Sequence, residues 1–190
     1  MLKVAIVDED DARAANIVQA LKEQGYAVTG RVGSALALLG NMTDWQPDVI
    51  IIGADSPERD TLEHLCLATR DCPRPIVMFT GDNSSESIRM ALKAGVSAYV
   101  VDGIDASRIR SILEVACIRF EEHQALLDSV AQATRNRSER ETIALAKQRL
   151  MKTQQMTEPE AYHAMRRTSM EENRRLVEIA EDVLRAFPGE

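Results

Sequence analysis

Apolar residues dominate five short stretches, and each is followed by a segment whose apolar positions recur every three or four residues. The runs are LKVAIVD (2–8), YAVTGRV (26–32), DVIII (48–52), RPIVMFT (74–80) and SAYVV (97–101). Runs of this length read as strands buried on both faces. Between them, DARAANIVQALKEQG (11–25), SALALLGNM (34–42), TLEHLCLATRD (61–71) and SSESIRMALKAG (84–95) carry helical periodicity, with Gly25 and Gly95 as stops. Strand and helix in alternation predict an α/β fold: a flavodoxin-like, doubly wound, five-stranded parallel sheet with helices on both faces.

A longer helix begins near Ala106 and meets no Pro or Gly before about Thr153. Leu113, Ala116, Phe120, His123, Leu127 and Val130 are spaced three and four apart along it, a short heptad seam. The seam turns polar at Thr134 and Arg137, and a new apolar stripe starts at Ile143, Ala146 and Leu150. This predicts a coiled-coil stalk over 106–137, continuous with the last helix of a first domain spanning 1–120 and feeding a small three-helix module at 138–190. A helix of that length would overrun a small domain, which favours a stalk that pairs with a second copy. Two S/T-x-x-E signals, Thr157 with Glu160 and Ser169 with Glu172, predict helix starts at about Glu158 and Met170. The last helix would present Leu176, Ile179, Ala180, Val183 and Phe187 on one face.

The 190 residues are 45% hydrophobic and 28% charged, a globular balance. No apolar run is long enough to cross a bilayer. Acidic residues follow the first apolar run at once, so the sequence predicts no signal peptide and a cytoplasmic protein. Charge is uneven: residues 1–133 carry 12 Lys+Arg against 20 Asp+Glu, whereas residues 134–190 carry 11 against 10. That contrast suggests two modules with different partners. Cys66, Cys72 and Cys117 lack metal spacing, as do His64, His123 and His163. Cys66 and Cys117 are expected to be small core residues. No nucleophile–base set, metal site or phosphate loop is present, so no enzyme activity and no cofactor are expected.

In a doubly wound fold, ligand chemistry gathers at the C-terminal strand ends. Those ends carry Asp8, Glu9 and Asp10, then Gly53, then Thr80, then Asp102. Over roughly residues 1–125 this resembles the receiver domain of two-component response regulators. The acidic pair Asp8–Glu9, Thr80 and Tyr99 match that family's pattern, and Pro57 places its phosphate-accepting Asp at Gly53. Its Lys after the fifth strand falls at Asp102. Glycine offers no carboxylate nucleophile, and an aspartate in place of the lysine would repel a phosphoryl group. A Mg²⁺ ion, which wants near-octahedral oxygen ligands, would lack one carboxylate. Asp55 is too displaced along an extended strand to replace the acceptor. A degenerate receiver pocket of Asp8, Glu9, Gly53, Asp55, Thr80 and Asp102 is therefore expected, one that signals without phosphorylation. Its acidic pair could hold a cation weakly or be a solvated cluster.

The string from Glu139 to Leu184 resembles the ANTAR module of transcription antitermination regulators. The residues that carry the likeness are Ala146–Lys147 and Leu150–Met151, then Glu160–Ala161–Tyr162 with Met165–Arg166, then Ser169–Met170 with Arg175–Leu176 and Ala180. Gln148 stands where the family usually has Gly. The resemblance, with features of the nitrate-responsive members, implies binding to a leader RNA with paired small hairpins. It also implies control by a nitrate-sensing partner protein that sequesters the antiterminator. Hairpin-loop bases stack on aromatic or guanidinium planes, so Lys147, Gln148, Arg149, Tyr162, Arg166, Arg167, Arg174 and Arg175 are the candidate RNA-binding residues. Tyr162 reads equally as core, and Arg167 and Arg175 as solvated helix surface. Two other classes remain: a DNA-binding response regulator, or a module that binds only protein. The acid-rich last helix, with Glu171, Glu172, Glu178, Glu181 and Asp182, suits a DNA major groove poorly. The expected partners are thus RNA, a sensor protein and a second copy, with neither DNA nor membrane.

Overall fold

The protein is described by a computed structural model over residues 1–55, 59–70, 72–101 and 106–188, the side chains of Arg59 and Ala106 excepted. The chain divides into two compact units, Met1–Gln124 and Ala125–Glu190.

Among its described residues the first unit holds five strands and five helices plus the start of a sixth. They run β1 (Lys3–Asp8), α1 (Asp11–Glu23), β2 (Ala27–Val32), α2 (Ala35–Leu39), α3 (Met42–Trp45), β3 (Val49–Ala54), α4 (Arg59–Thr69), β4 (Ile76–Thr80), α5 (Ser85–Lys93), β5 (Ala98–Val101) and the beginning of α6 (Ala106–Gln154). All strands are parallel, in the order β2-β1-β3-β4-β5. Side chains alternate across a strand, so each apolar run serves two cores. Ala5, Val7, Ile50, Ile52, Ile76 and Met78 face a layer that includes Ala35, Leu38, Leu62, Leu65 and Ala91. Val4, Ile6, Val49, Ile51, Val77 and Phe79 face Ile17, Leu21, Ile109, Leu113 and Ala116. Both layers are needed because these strands have no polar face to leave in water.

The predicted five-stranded parallel sheet is therefore present, and the differences are local. The segment at 34–42 is two short helices, α2 and α3, because Gly40 and Asn41 interrupt it. Cys66 is exposed, its thiol donating to the Ala94 carbonyl at 3.3 Å, and Cys117 is half-buried. Neither is the core residue expected. Leu113 and Ala116, read from the heptad as seam positions, are fully buried against the sheet. Seven-residue spacing and one face of an ordinary amphipathic helix look alike over two turns. Further along α6, Leu126, Leu127 and Val130 are exposed, at 60, 48 and 56%.

The second unit contains the rest of α6, then α7 (Glu158–Glu171) and α8 (Leu176–Ala186). Ala146 and Leu150 of α6 pack with Ala161 and Met165 of α7 and with Ile179 and Ala180 of α8. At the start of α7, the Glu160 carboxylate accepts from the Thr157 backbone N–H at 2.8 Å and from its hydroxyl at 2.7 Å. Those hydrogen bonds hold the Glu160 carboxyl below the usual carboxylate range.

The second predicted cap is overturned. Ser169 does not start the last helix; it is buried near the end of α7, which continues to Glu171. Its hydroxyl donates to the Arg174 carbonyl at 2.6 Å, while its own carbonyl accepts from the Arg174 N–H at 3.0 Å. Asn173 turns the chain at φ 52°, and Arg175 caps α8. The Ser/Glu pair has the form of a capping box, but a serine hydroxyl can equally close a helix C-terminus when its face is buried.

Leu113→Ala is expected to lower the unfolding free energy of the first unit by about 2–5 kcal/mol. Urea denaturation followed at Trp45 measures this. A variant of unchanged stability but altered self-association would return Leu113 to the seam.

Candidate functional site

The acidic end of β1 runs directly into α1. Asp10 caps that helix by accepting from the Arg13 N–H at 2.8 Å. This turn brings the Arg13 side chain back over the strand ends. Its Nε donates to Asp8 Oδ2 at 2.8 Å and its Nη2 to Asp8 Oδ1 at 2.9 Å, a bidentate pair. Its Nη1 also pairs with Asp55, beyond the end of β3. The Asp8 side chain is wholly buried, whereas that of Asp55 is nearly all in solvent. Asp8 Oδ1 accepts additionally from the Asp10 N–H at 2.9 Å. Hydrogen bonding to Asp8, reinforced by Asp55, raises the Arg13 guanidinium above its already high ordinary pKa. Arg31 donates to the Asp8 carbonyl at 3.1 Å and pairs with Asp11 at 2.6 Å.

Gly53 sits opposite Asp8 in the β1–β3 register. A Cβ at this position would lie 1.9 Å from Asp8 Oδ2 and 2.9 Å from Arg13 Nε. The Asp8 carboxylate thus lies where the side chain of residue 53 would stand. Thr80 is buried, its hydroxyl donating to the Asp55 carbonyl at 3.0 Å and accepting from the Asp82 N–H at 3.1 Å. Tyr99 donates its hydroxyl to the Asp82 carbonyl at 2.8 Å, and burial pushes its phenol pKa up. Glu9 is exposed. Asp102 and Pro57 lie outside the described residues. The structure therefore brings Asp8, Gly53 and Asp55 together around a residue the sequence reading passed over. Arg13 is the lone base in the run DEDDAR, and that isolation was the available signal.

The second cluster lies on the C-terminal bundle. Tyr162, Arg166 and Met170 recur every fourth residue along the solvent side of α7, away from Ala161, Met165 and Ser169. Tyr162 is 40% exposed and Met170 71%, so Tyr162 is a surface residue. Its ring meets His163 edge-on at 6.1 Å. Among the described residues, Arg166 has no ion-pair partner. The other candidate cations are engaged within the unit. Lys147 pairs with Glu158 at 2.5 Å, Arg175 with Glu139 at 2.5 Å, and Arg167 loosely with Glu171 at 3.8 Å. Arg149 donates to the Pro188 carbonyl at 3.1 Å. Arg174 is shared by Glu172, Glu178 and Asp182, at 2.9, 3.5 and 2.7 Å. These carboxylates raise its pKa. Gln148 is exposed on α6.

Comparison with known proteins divides the chain in the same way. The response regulator receiver domain profile matches residues 4–114, and the ANTAR domain profile matches residues 131–184. The transcriptional regulatory protein PdtaR of Mycobacterium tuberculosis is 27% identical over 182 residues, covering 96% of this chain and 89% of that protein. The chemotaxis protein CheY of Listeria monocytogenes is 25% identical over 117 residues, 61% of this chain and 98% of that protein. Among solved structures, a diguanylate cyclase receiver domain from Desulfovibrio desulfuricans superposes with TM-score 0.57 at 20% identity, over 65% of this chain and 98% of that one. A CheY-like receiver from Methanospirillum hungatei gives 0.55 at 22% identity, over 65% of this chain and 98% of that one. Both show the fold.

Arg174→Ala is expected to speed amide hydrogen exchange across the α7–α8 turn, because three carboxylates lose their shared cation. Arg166→Ala is expected to leave that exchange unchanged. Hydrogen exchange followed by mass spectrometry distinguishes the two roles.

Proposed function

The chain belongs to the response regulator receiver family, and from its receiver and ANTAR matches we propose that it is a transcription antiterminator that binds a leader RNA carrying paired hairpins. The observation that carries this reading is the solvent-facing row of Tyr162, Arg166 and Met170 on a bundle whose residues 131–184 match the ANTAR domain. A phenol ring and a free guanidinium, one turn apart, suit an unstacked loop base and its phosphate. Lys147, Gln148, Arg149, Arg167, Arg174 and Arg175 complete the proposed surface. Lys147, Arg149, Arg167 and Arg175 would exchange a carboxylate or carbonyl partner for phosphate when RNA binds, Arg174 would shape the surface from within its three carboxylates, and Arg166 has no ion-pair partner among the described residues to lose. PdtaR, the relative matched over almost the whole chain, is named a transcriptional regulator.

Control by sequestration rather than phosphorylation is the regulatory half of the reading. Position 53 offers no nucleophile, and the neighbouring carboxylate is engaged by Arg13. A sensor protein that holds the receiver would supply the switch. Nitrate as its signal, and nitrate or nitrite assimilation genes as the target, rest on the likeness to the regulator NasT. The exposed Leu126, Leu127 and Val130 support a homodimer through the stretch of α6 at 106–137. The working organisation is a pseudo-receiver at 1–120, that stalk, and an RNA-binding module at 138–190. We read the whole as a cytoplasmic regulator that catalyses no reaction. Among the described residues no helix is long and apolar enough to cross a membrane.

Titration of the purified protein against a leader RNA with two adjacent hairpins, with duplex DNA of equal length as control at fixed salt, should show RNA-selective binding. Tyr162→Ala is expected to weaken it by about 1–3 kcal/mol, the range for one stacked base. Arg166→Ala should weaken it and flatten the salt dependence by roughly 0.7 in log–log slope, the value for one phosphate contact on a single strand. Unchanged affinity in both variants would remove this face from the interface. Incubation with acetyl phosphate should leave the intact mass unchanged, and an adduct mapped to Asp55 would overturn phosphate-independent control.

A further inference from the structure

We propose that the Arg13 guanidinium is a built-in cation: it occupies the strand-end pocket in place of a divalent metal ion, and Gly53 is the residue that makes room for it. The resemblance to receivers implies Mg²⁺ among these carboxylates, and the residues present do not fit that ion. Mg²⁺ needs oxygen ligands at about 2.0–2.1 Å in near-octahedral array. Both oxygens of Asp8 already accept short hydrogen bonds, Oδ2 from Arg13 Nε and Oδ1 from Arg13 Nη2 and the Asp10 N–H. The Asp8 side chain has no exposed surface through which an ion could replace these donors. Among the described residues, no three His, Cys, Asp or Glu side chains converge as a metal site.

Gly53 and Arg13 form one device. With a side chain at position 53, Asp8 could not lie where it does, since a Cβ would stand 1.9 Å from Oδ2. Without Arg13, the carboxylate of Asp8 would be buried uncompensated, with Glu9 and Asp55 close along the same edge. The guanidinium's planar fork answers both needs. Two of its nitrogens hold Asp8 and the third reaches Asp55, so one charge links the ends of β1 and β3. A metal ion performing that cross-link would come and go with concentration; a tethered cation does not. While Arg13 holds Asp8, the pocket is therefore closed to a metal ion in every ionic condition. This inference concerns the receiver unit and stands whether or not the C-terminal bundle binds RNA.

The test is Mn²⁺ binding to the full chain, read by paramagnetic broadening of the Asp8 and Gly53 amides and by thermal unfolding. Wild type is expected to show no broadening and a melting temperature independent of Mn²⁺ or Mg²⁺. Arg13→Ala is expected to melt lower, to bind Mn²⁺ saturably at those amides, and to recover stability as the ion is added, with a shift that grows with the logarithm of its concentration. Arg13→Ala with Asp8→Asn should lose that rescue. Arg13→Lys should keep the ion out, because the ammonium still compensates Asp8. Saturable broadening at Asp8 in the wild type overturns the proposal, even if Arg13→Ala does not fold. So does an Arg13→Ala protein that melts like wild type and takes no ion.

Discussion

The central strands β1, β3 and β4 carry apolar side chains on both faces, so the sheet has no face that can be left in water. Every other feature of the first unit follows from that constraint. Ile50, Ile51 and Ile52 point alternately to two layers, so helices must cover both sides, and the crossovers that bring them leave the strand ends as the place where polar residues gather. The last helix that covers a face is α6, through Ile109, Leu113 and Ala116. The same helix later supplies Ala146 and Leu150 to the second core. One continuous element of 49 residues thus carries structural obligations to two modules. That is the economical way for a receiver to be joined to an output.

The strand ends show how acidic residues at one edge of a sheet can be held together by a side chain of the same unit. Acidic residues at one edge repel each other, and a receiver pocket needs a cation to hold them. Here a guanidinium from the first turn of α1 stands among them, and the absent side chain at position 53 provides the space into which Asp8 folds. Thr80 and Tyr99 retain their places and are hydrogen-bonded to the backbone around Asp55 and Asp82. The buried carboxylate of Asp8 is satisfied within the unit, by Arg13 and the Asp10 N–H.

In the C-terminal unit the same logic separates cations by what they already touch. Arg174 ties three carboxylates across the turn into α8, and its carbonyl accepts from Ser169. Arg166, two turns earlier on the open face of α7, answers to nothing among the described residues. Basic residues close in sequence are therefore not equivalent: a guanidinium fixed by several acids is part of the scaffold, and an unpaired one beside an exposed phenol is available to a ligand.

The number and order of the strands, the helix stops at Gly25 and Gly95, the N-cap at Thr157 and the absence of a nucleophile at position 53 are all written in the sequence, because each depends on local periodicity or on one side chain's chemistry. The division of the heptad between core and surface, the reversal of Ser169 from cap to helix end, and the exposure of Cys66 and Tyr162 were not. Each of these depends on which helical face is buried, and that is decided by neighbours distant in the chain. Arg13 shows the difference most plainly. The sequence places an arginine five residues after Asp8 and a glycine at position 53. Only the pairing of β1 with β3 brings them within reach of the same carboxylate, since an electrostatic contact is set by distance in space and not by distance along the chain.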